Sequence, residues 1–285
     1  MDSLTFIEFA KTLTRLKMYP YFDVANYILM CWTVREDNHP QATGSQMFSR
    51  KHPLSCWVAS MLMCFAGGII GNLLVGEPVL GPFKDHQAVI TATVVWYLIN
   101  FAPFDVVYKF TKLLPVRLMI FCMKEIQRTN KIHHAILYGL KHLAGAYVQI
   151  IIYAIAKGAG YTYMRVFERQ VRGVWIPATN EFLQPGFVTK GSLAASVIFL
   201  LSYNGVITTP FPIVYFCIAV FFIYFRLMSA ILGIHDPFLP FENLFCSIFM
   251  GGMFDALKKA VSREKPTEDG VNSNGIKNRE EKKND

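Results

Sequence analysis

The stretch "FCMKEIQRTNK", residues 121–131, decides how the rest of the chain is read. An apolar run from Pro115 to Met123, interrupted only by Arg117, meets Lys124, Glu125 and Arg128 with no Gly or Pro to stop a helix. Positions three or four apart share a helical face. Arg117, Lys124, Arg128 and Lys131, spaced by seven, four and three, therefore form one cationic stripe. Glu125 can reach Arg128 at i,i+3, but one carboxylate cannot balance four cations. A charge inside a membrane costs at least roughly 2.5 kcal/mol, so the stripe must face water, a pore or a bound anion. For Lys124 and Arg128 a lipid phosphate fits best, since Arg offers a planar fork and Lys a point charge. Long side chains snorkelling to headgroups and a voltage sensor are the alternatives. Arg117 is a weaker candidate for the same ligand.

The surroundings of that stretch set the class. Of 285 residues 53% are hydrophobic and 17% charged, which favours a membrane protein over a soluble domain. Several runs approach the roughly 20 residues a spanning helix needs, and no alternating strands suggest a barrel. The expected class is all-α and polytopic. The spans run about 21–34, 54–74, 87–107, one from about 113, 135–167, 192–208 and 212–234. Residues 1–20 form an amphipathic segment, with no secretory signal peptide expected. Residues 242–261 are apolar but broken and suit the interface, and 262–285 read as a disordered tail. The six cysteines are scattered without metal spacing. No metal site, enzyme chemistry or nucleic-acid partner is expected.

Lys and Arg concentrate after spans one, three and five and in the tail: Arg35, Arg50, Lys51; Lys109, Lys112; Arg165, Arg169, Arg172. Positive loops stay cytosolic, which puts the C-terminus in the cytosol and the N-terminus in the lumen. The segment after span four, with Arg128, Lys131 and Lys141, contradicts that count.

Two features recur. Spans two and five carry glycine clusters, Gly67 and Gly68 in "AGGIIG" and Gly158 and Gly160 in "KGAG", expected to act as helix hinges, with Lys157 a second weaker anion candidate. Spans three and six both end in Asn followed by Pro. Two inverted three-helix repeats, about 21–107 and 113–208, with a seventh helix at about 212–234, account for this order; so does the general frequency of Gly and Pro in membrane helices. Asn100 and Asp105 flank Pro103, where they either line a polar path or satisfy backbone groups freed by the break.

"FDVANYIL", "RKHPLSCW", "WYLINFAPFDVVYK", "LPVRLMIFCMKEIQRTNK", "KGAG" and "RGVWIPATNEFL" occur in that order between about Phe22 and Phe241. Together they resemble the trimeric intracellular cation channel family, whose KExxR signature "KEIQR" matches. The resemblance implies a homotrimer with a potassium-permeable pore in each subunit, in the membrane of the endoplasmic or sarcoplasmic reticulum. It implies counter-ion current during calcium release, and a bound phosphatidylinositol 4,5-bisphosphate contacting Lys124 and Arg128. The final "KKND" resembles a dilysine retrieval signal. A secondary transporter built on inverted repeats is the alternative function.

Overall fold

The computed structural model describes residues 3–37, 49–143, 145–174, 181–233, Phe238 and 244–245. The chain divides into two compact units, Met1–Pro237 and Phe238–Asp285. The expectations for 242–261 and 262–285 fall outside the described residues, apart from Leu244 and Phe245.

The described part of the first unit is helical and contains no strand. Its helices are α1 (Ser3–Thr14), α2 (Tyr21–Asp37), α3 (Pro53–Val75), α4 (His86–Phe101), α5 (Val106–Lys112), α6 (Leu114–His142), α7 (Tyr147–Val171), α8 (Phe187–Tyr203) and α9 (Phe211–Leu232). Among these α3 and α9 are each long and apolar enough to cross a membrane, and α4 with the segment to Lys112 forms one bent candidate. Proline marks several starts: α3, α6 and α9 each carry it in the first helical turn, where its missing N–H costs nothing.

Apolar side chains gather in two clusters. One joins α2, α3 and α4 around Trp32, Met61, Met63 and Ile99, and takes in Ile120 and Phe121 from the first half of α6. The other joins the second half of α6 to α7, α8 and α9 around Ile136, Ile150, Phe199 and Tyr215. The polar stretch from Lys124 to Asn130 lies between them, so α6 enters both cores, as α7 does through Met164 on one side and Ile150 on the other.

Two boundaries differ from the sequence reading. Residues 135–142 belong to the fourth helix, not to the fifth span, because nothing between Leu118 and His142 stops α6 and the turn falls at Leu143–Ala146. Arg128 and Lys131 therefore sit inside a helix, and Lys141 lies in its last turn. The eighth helix starts earlier than expected, at Phe187.

The expected hinges are also corrected. Helix α3 runs unbroken through Gly67 and Gly68, and α7 through Gly158 and Gly160. Gly67 and Gly160 serve close approach, while Gly68 and Gly158 face the side chains of Pro82 and Ile132. A Cβ on Gly67 would lie 2.6 Å from the Lys157 carbonyl oxygen, and one on Gly160 would lie 2.7 Å from Gly67 Cα. Small residues let membrane helices touch backbone to backbone, and α3 makes its most extensive packing here, against α7.

The real break is at Pro103, where α4 and the following segment meet at 93°. Phe104 and Asp105 both take positive φ there, 54° and 57°. Buried Arg35, expected in a loop, is instead in α2; it donates to the carbonyl of Ile99 and pairs with Asp105 at 3.0 Å. A helix end leaves its last carbonyls unpaired, so Arg35 caps α4 and anchors the turn with one guanidinium. Asn100 donates to Trp96 O at 2.9 Å. Neither Asn100 nor Asp105 lines the cavities described below; Asp105 holds the bend through Arg35.

Asp37, at the far end of α2, accepts from Arg165 at 3.0 Å and from Arg169 and Arg172 at 2.8 Å. Arg172 also binds Glu168. This clamp ties α2 to α7.

Candidate functional site

The site is built on α6, whose lining residues run from Arg117 to Arg128. Lys124 donates to the side-chain carbonyl of Asn26 on α2, and Asn26 in turn donates to Cys64 O of α3 at 3.3 Å. Gln127 donates to Asp23, one turn before Asn26. Asp23 and Asn26 therefore receive the polar face of α6, a pairing the sequence analysis did not single out. Their i,i+3 spacing in the otherwise apolar stretch from Tyr21 to Trp32 was the available signal.

Glu125 and Arg128 are both fully buried and form an ion pair, Nη1 to Oε2 at 2.6 Å. The pair meets by distance without hydrogen-bond alignment, so its atoms, together with Arg128 Nε and Arg117 Nε, have no hydrogen-bond partner. Leaving buried charged donors unpaired is costly. Aromatic faces supply part of the compensation: Tyr161 stands 5.2 Å from the Lys124 ammonium, and Phe222 stands 5.5 Å from the Arg128 guanidinium.

These groups open onto a cavity of about 260 Å³. Its lining holds five cations (Lys112, Arg117, Lys124, Arg128 and Arg226) against two carboxylates, Glu36 and Glu125. Lys112 and Glu36 pair at 2.8 Å, which leaves Arg117, Lys124, Arg128 and Arg226 facing Glu125. Arg226 of α9 lies over the Phe121 ring at 4.3 Å, in the same cavity as the stripe. The fourth stripe member does not join them: Lys131 and the other weak candidate, Lys157, line a separate cavity. The single face drawn from helical spacing is thus divided between two cavities end to end along α6. Among the described residues no cluster of His, Cys, Asp and Glu could hold a metal ion, and the five described cysteines are free thiols.

Helices long and apolar enough to cross a membrane, packed with a bent candidate span around buried cations, define a helical membrane protein. Residues 42–233 match the family model described as TRIC channel, and the chain belongs to the trimeric intracellular cation channel family, whose members are ion channels and not enzymes. It is 46% identical over 263 residues to trimeric intracellular cation channel type 1B.1 of Caenorhabditis elegans, covering 92% of this chain and 88% of that one. Type A from Homo sapiens is 31% identical over 252 residues, covering 88% of this chain and 83% of that one. The solved structure of a Caenorhabditis elegans trimeric intracellular cation channel in the absence of calcium superposes with a TM-score of 0.77 at 40% identity, across 83% of this chain and all of that one. A second solved structure, described as giving the basis for activity of TRIC counter-ion channels in calcium release, has a TM-score of 0.72 at 31% identity, across 77% of this chain and 96% of that one.

Proposed function

We propose that the chain is a homotrimeric, potassium-permeable channel of the endoplasmic or sarcoplasmic reticulum membrane, carrying counter-ion current during calcium release. The names of its relatives support the trimer and the counter-ion role. Its N-terminus is luminal and its C-terminus cytosolic, in line with the clustering of Lys and Arg at the ends of spans one, three and five. Its seven spans are α2, α3, the bent α4–α5, α6, α7, α8 and α9, arranged as two inverted three-helix repeats plus α9. The packing supports the repeats: exchanging α2, α3, α4 for α6, α7, α8 maps the observed helix pairs onto one another, with α3 against α7 at the centre.

Within each subunit, a phosphoinositide headgroup such as that of phosphatidylinositol 4,5-bisphosphate binds Lys124 and Arg128. The observation that carries this reading is the excess of buried cations over Glu125 in the first cavity. A membrane-buried cation costs roughly 2.5–3.5 kcal/mol at a helix centre, and charge-assisted hydrogen bonds to phosphate return about 1.5–3 kcal/mol each. At about 260 Å³ the cavity falls just below the roughly 300–1,000 Å³ of ordinary ligand sites, room for the phosphates of a headgroup with its acyl chains outside.

The test combines planar-bilayer recording with mass spectrometry of co-purified lipid, on the wild type and on Lys124→Ala/Arg128→Ala. Unitary potassium currents and a phosphoinositide lost from the double variant are expected. Phosphoinositide retained at wild-type stoichiometry would refute the lipid site, and saturable flux without unitary steps would favour a secondary transporter, which inverted repeats also permit.

A further inference from the structure

The second cavity, about 640 Å³, lies beside the latter half of α6, against α7 and against Gly67 and Gly68 of α3. Lys131, His134, Tyr138 and Lys141 come from one face of α6, at intervals of three, four and three, and Lys157 comes from α7. The lining contains no carboxylate. Among the described residues, none of the salt bridges involves these three lysines.

Lys157 takes its direct contacts from neutral groups, and Glu77 acts on it without forming an ion pair. It reaches across the glycine seam, with Cε 2.5 Å from where a Cβ on Gly71 would stand. Its ammonium makes a long hydrogen bond to Asn72 Oδ1 at 3.3 Å and lies 5.2 Å from the Tyr153 ring centre. Both partners are neutral. The carboxylate that touches the lining, Glu77, accepts from Tyr138 at 2.6 Å. Water in a space of this size, on the order of twenty molecules at about 30 Å³ each, hydrates three ammonium groups without neutralising them. A channel that passes cations gains nothing from a bare positive cavity, which repels the ion it conducts.

We propose that this cavity is a second anion site, which binds a phosphate-bearing ligand between Lys131, Lys141 and Lys157, separate from Lys124 and Arg128. Three ammonium point charges and a tyrosine hydroxyl suit a multivalent tetrahedral anion better than chloride. The phosphate comes either from an anionic lipid headgroup or from a soluble compound. The site does not depend on the phosphoinositide at the first cavity.

The experiment uses the full-length channel in nanodiscs, as wild type and with Lys124→Ala/Arg128→Ala, so that failure at the first cavity is read separately. One arm titrates inorganic pyrophosphate into phosphatidylcholine nanodiscs by calorimetry at constant chloride. The other measures phosphatidic acid retained from mixed nanodiscs by native mass spectrometry. One phosphate anion per protomer that survives Lys124→Ala/Arg128→Ala is expected in at least one arm, and which arm responds identifies the source. Adding Lys131→Gln/Lys157→Gln should weaken that binding tenfold or more, while Lys157→Arg retains it. Should the double Gln variant fail to assemble, Lys141→Gln at the exposed rim should still weaken binding severalfold. No binding in either arm, or binding unmoved by the lysine substitutions, overturns the proposal.

Discussion

Replacing Gly67 with Ala should destabilise the channel while the same change at Gly71, one turn along the same helix, should not. Both sites are helical and both variants gain the same intrinsic preference, about 0.8–1 kcal/mol for Ala over Gly. They differ in what the new methyl meets. At Gly67 it would stand 2.6 Å from the Lys157 carbonyl oxygen, where ordinary contact begins at 3.4 Å. That oxygen is backbone in the middle of α7, so relief requires α3 and α7 to separate. At Gly71 the methyl meets the far end of the Lys157 side chain, which can swing into the 640 Å³ cavity. Overpacking a rigid contact costs about 1–3 kcal/mol. Net of the propensity gain, Gly67→Ala loses up to about 2 kcal/mol and Gly71→Ala is neutral or slightly stabilised. Gly160→Ala, whose Cβ would face Gly67 Cα at 2.7 Å, should behave like Gly67→Ala. Thermal aggregation of detergent-solubilised protein, followed by size-exclusion chromatography, reads the series. Equal melting points for Gly67→Ala and Gly71→Ala would show that α3 and α7 do not rely on backbone contact.

Two further perturbations address the other junctions. Asp37→Asn removes the anion that three arginines share, one of them with a fully buried side chain; breaking a buried pair costs about 3 kcal/mol or more, visible as a lower melting point. Burial raises the Asp37 pKa, but the bonds from Arg169 and Arg172 outweigh that and hold it well below the usual carboxylate range. Its contribution is therefore fully present above the unfolded value near 3.8 and is lost as pH falls below it; a wild type no more acid-sensitive than Asp37→Asn would contradict this. Asp105→Ala strands buried Arg35 at the Pro103 bend, so it should lower stability by roughly the same amount, whereas Asp105→Glu should recover part of it. Indistinguishable melting points for the two Asp105 variants would show that the bend stands without the ion pair.

The class of this protein was legible from its residues because membrane burial leaves a crude signal: long apolar runs, charges held at their ends, and a few polar groups that must have partners. The stripe on α6 and the break at Pro103 followed from helical periodicity and from proline geometry, both local properties. What locality could not supply was the far side of each contact. Nothing in "AGGIIG" or "KGAG" distinguishes a hinge from a seam; only the meeting of α3 with α7 makes Gly67 and Gly160 surfaces for a neighbouring backbone. Arg35 resembled a loop cation until α4 turned to offer it a carbonyl and Asp105. Arg226, about 100 positions beyond the stripe, joins it because α9 packs on α6. Spacing placed Arg117, Lys124, Arg128 and Lys131 on one face, but the elements packed around α6 decided which of them share a cavity, since a helix sets only the direction of a side chain and its neighbours set the space that side chain enters.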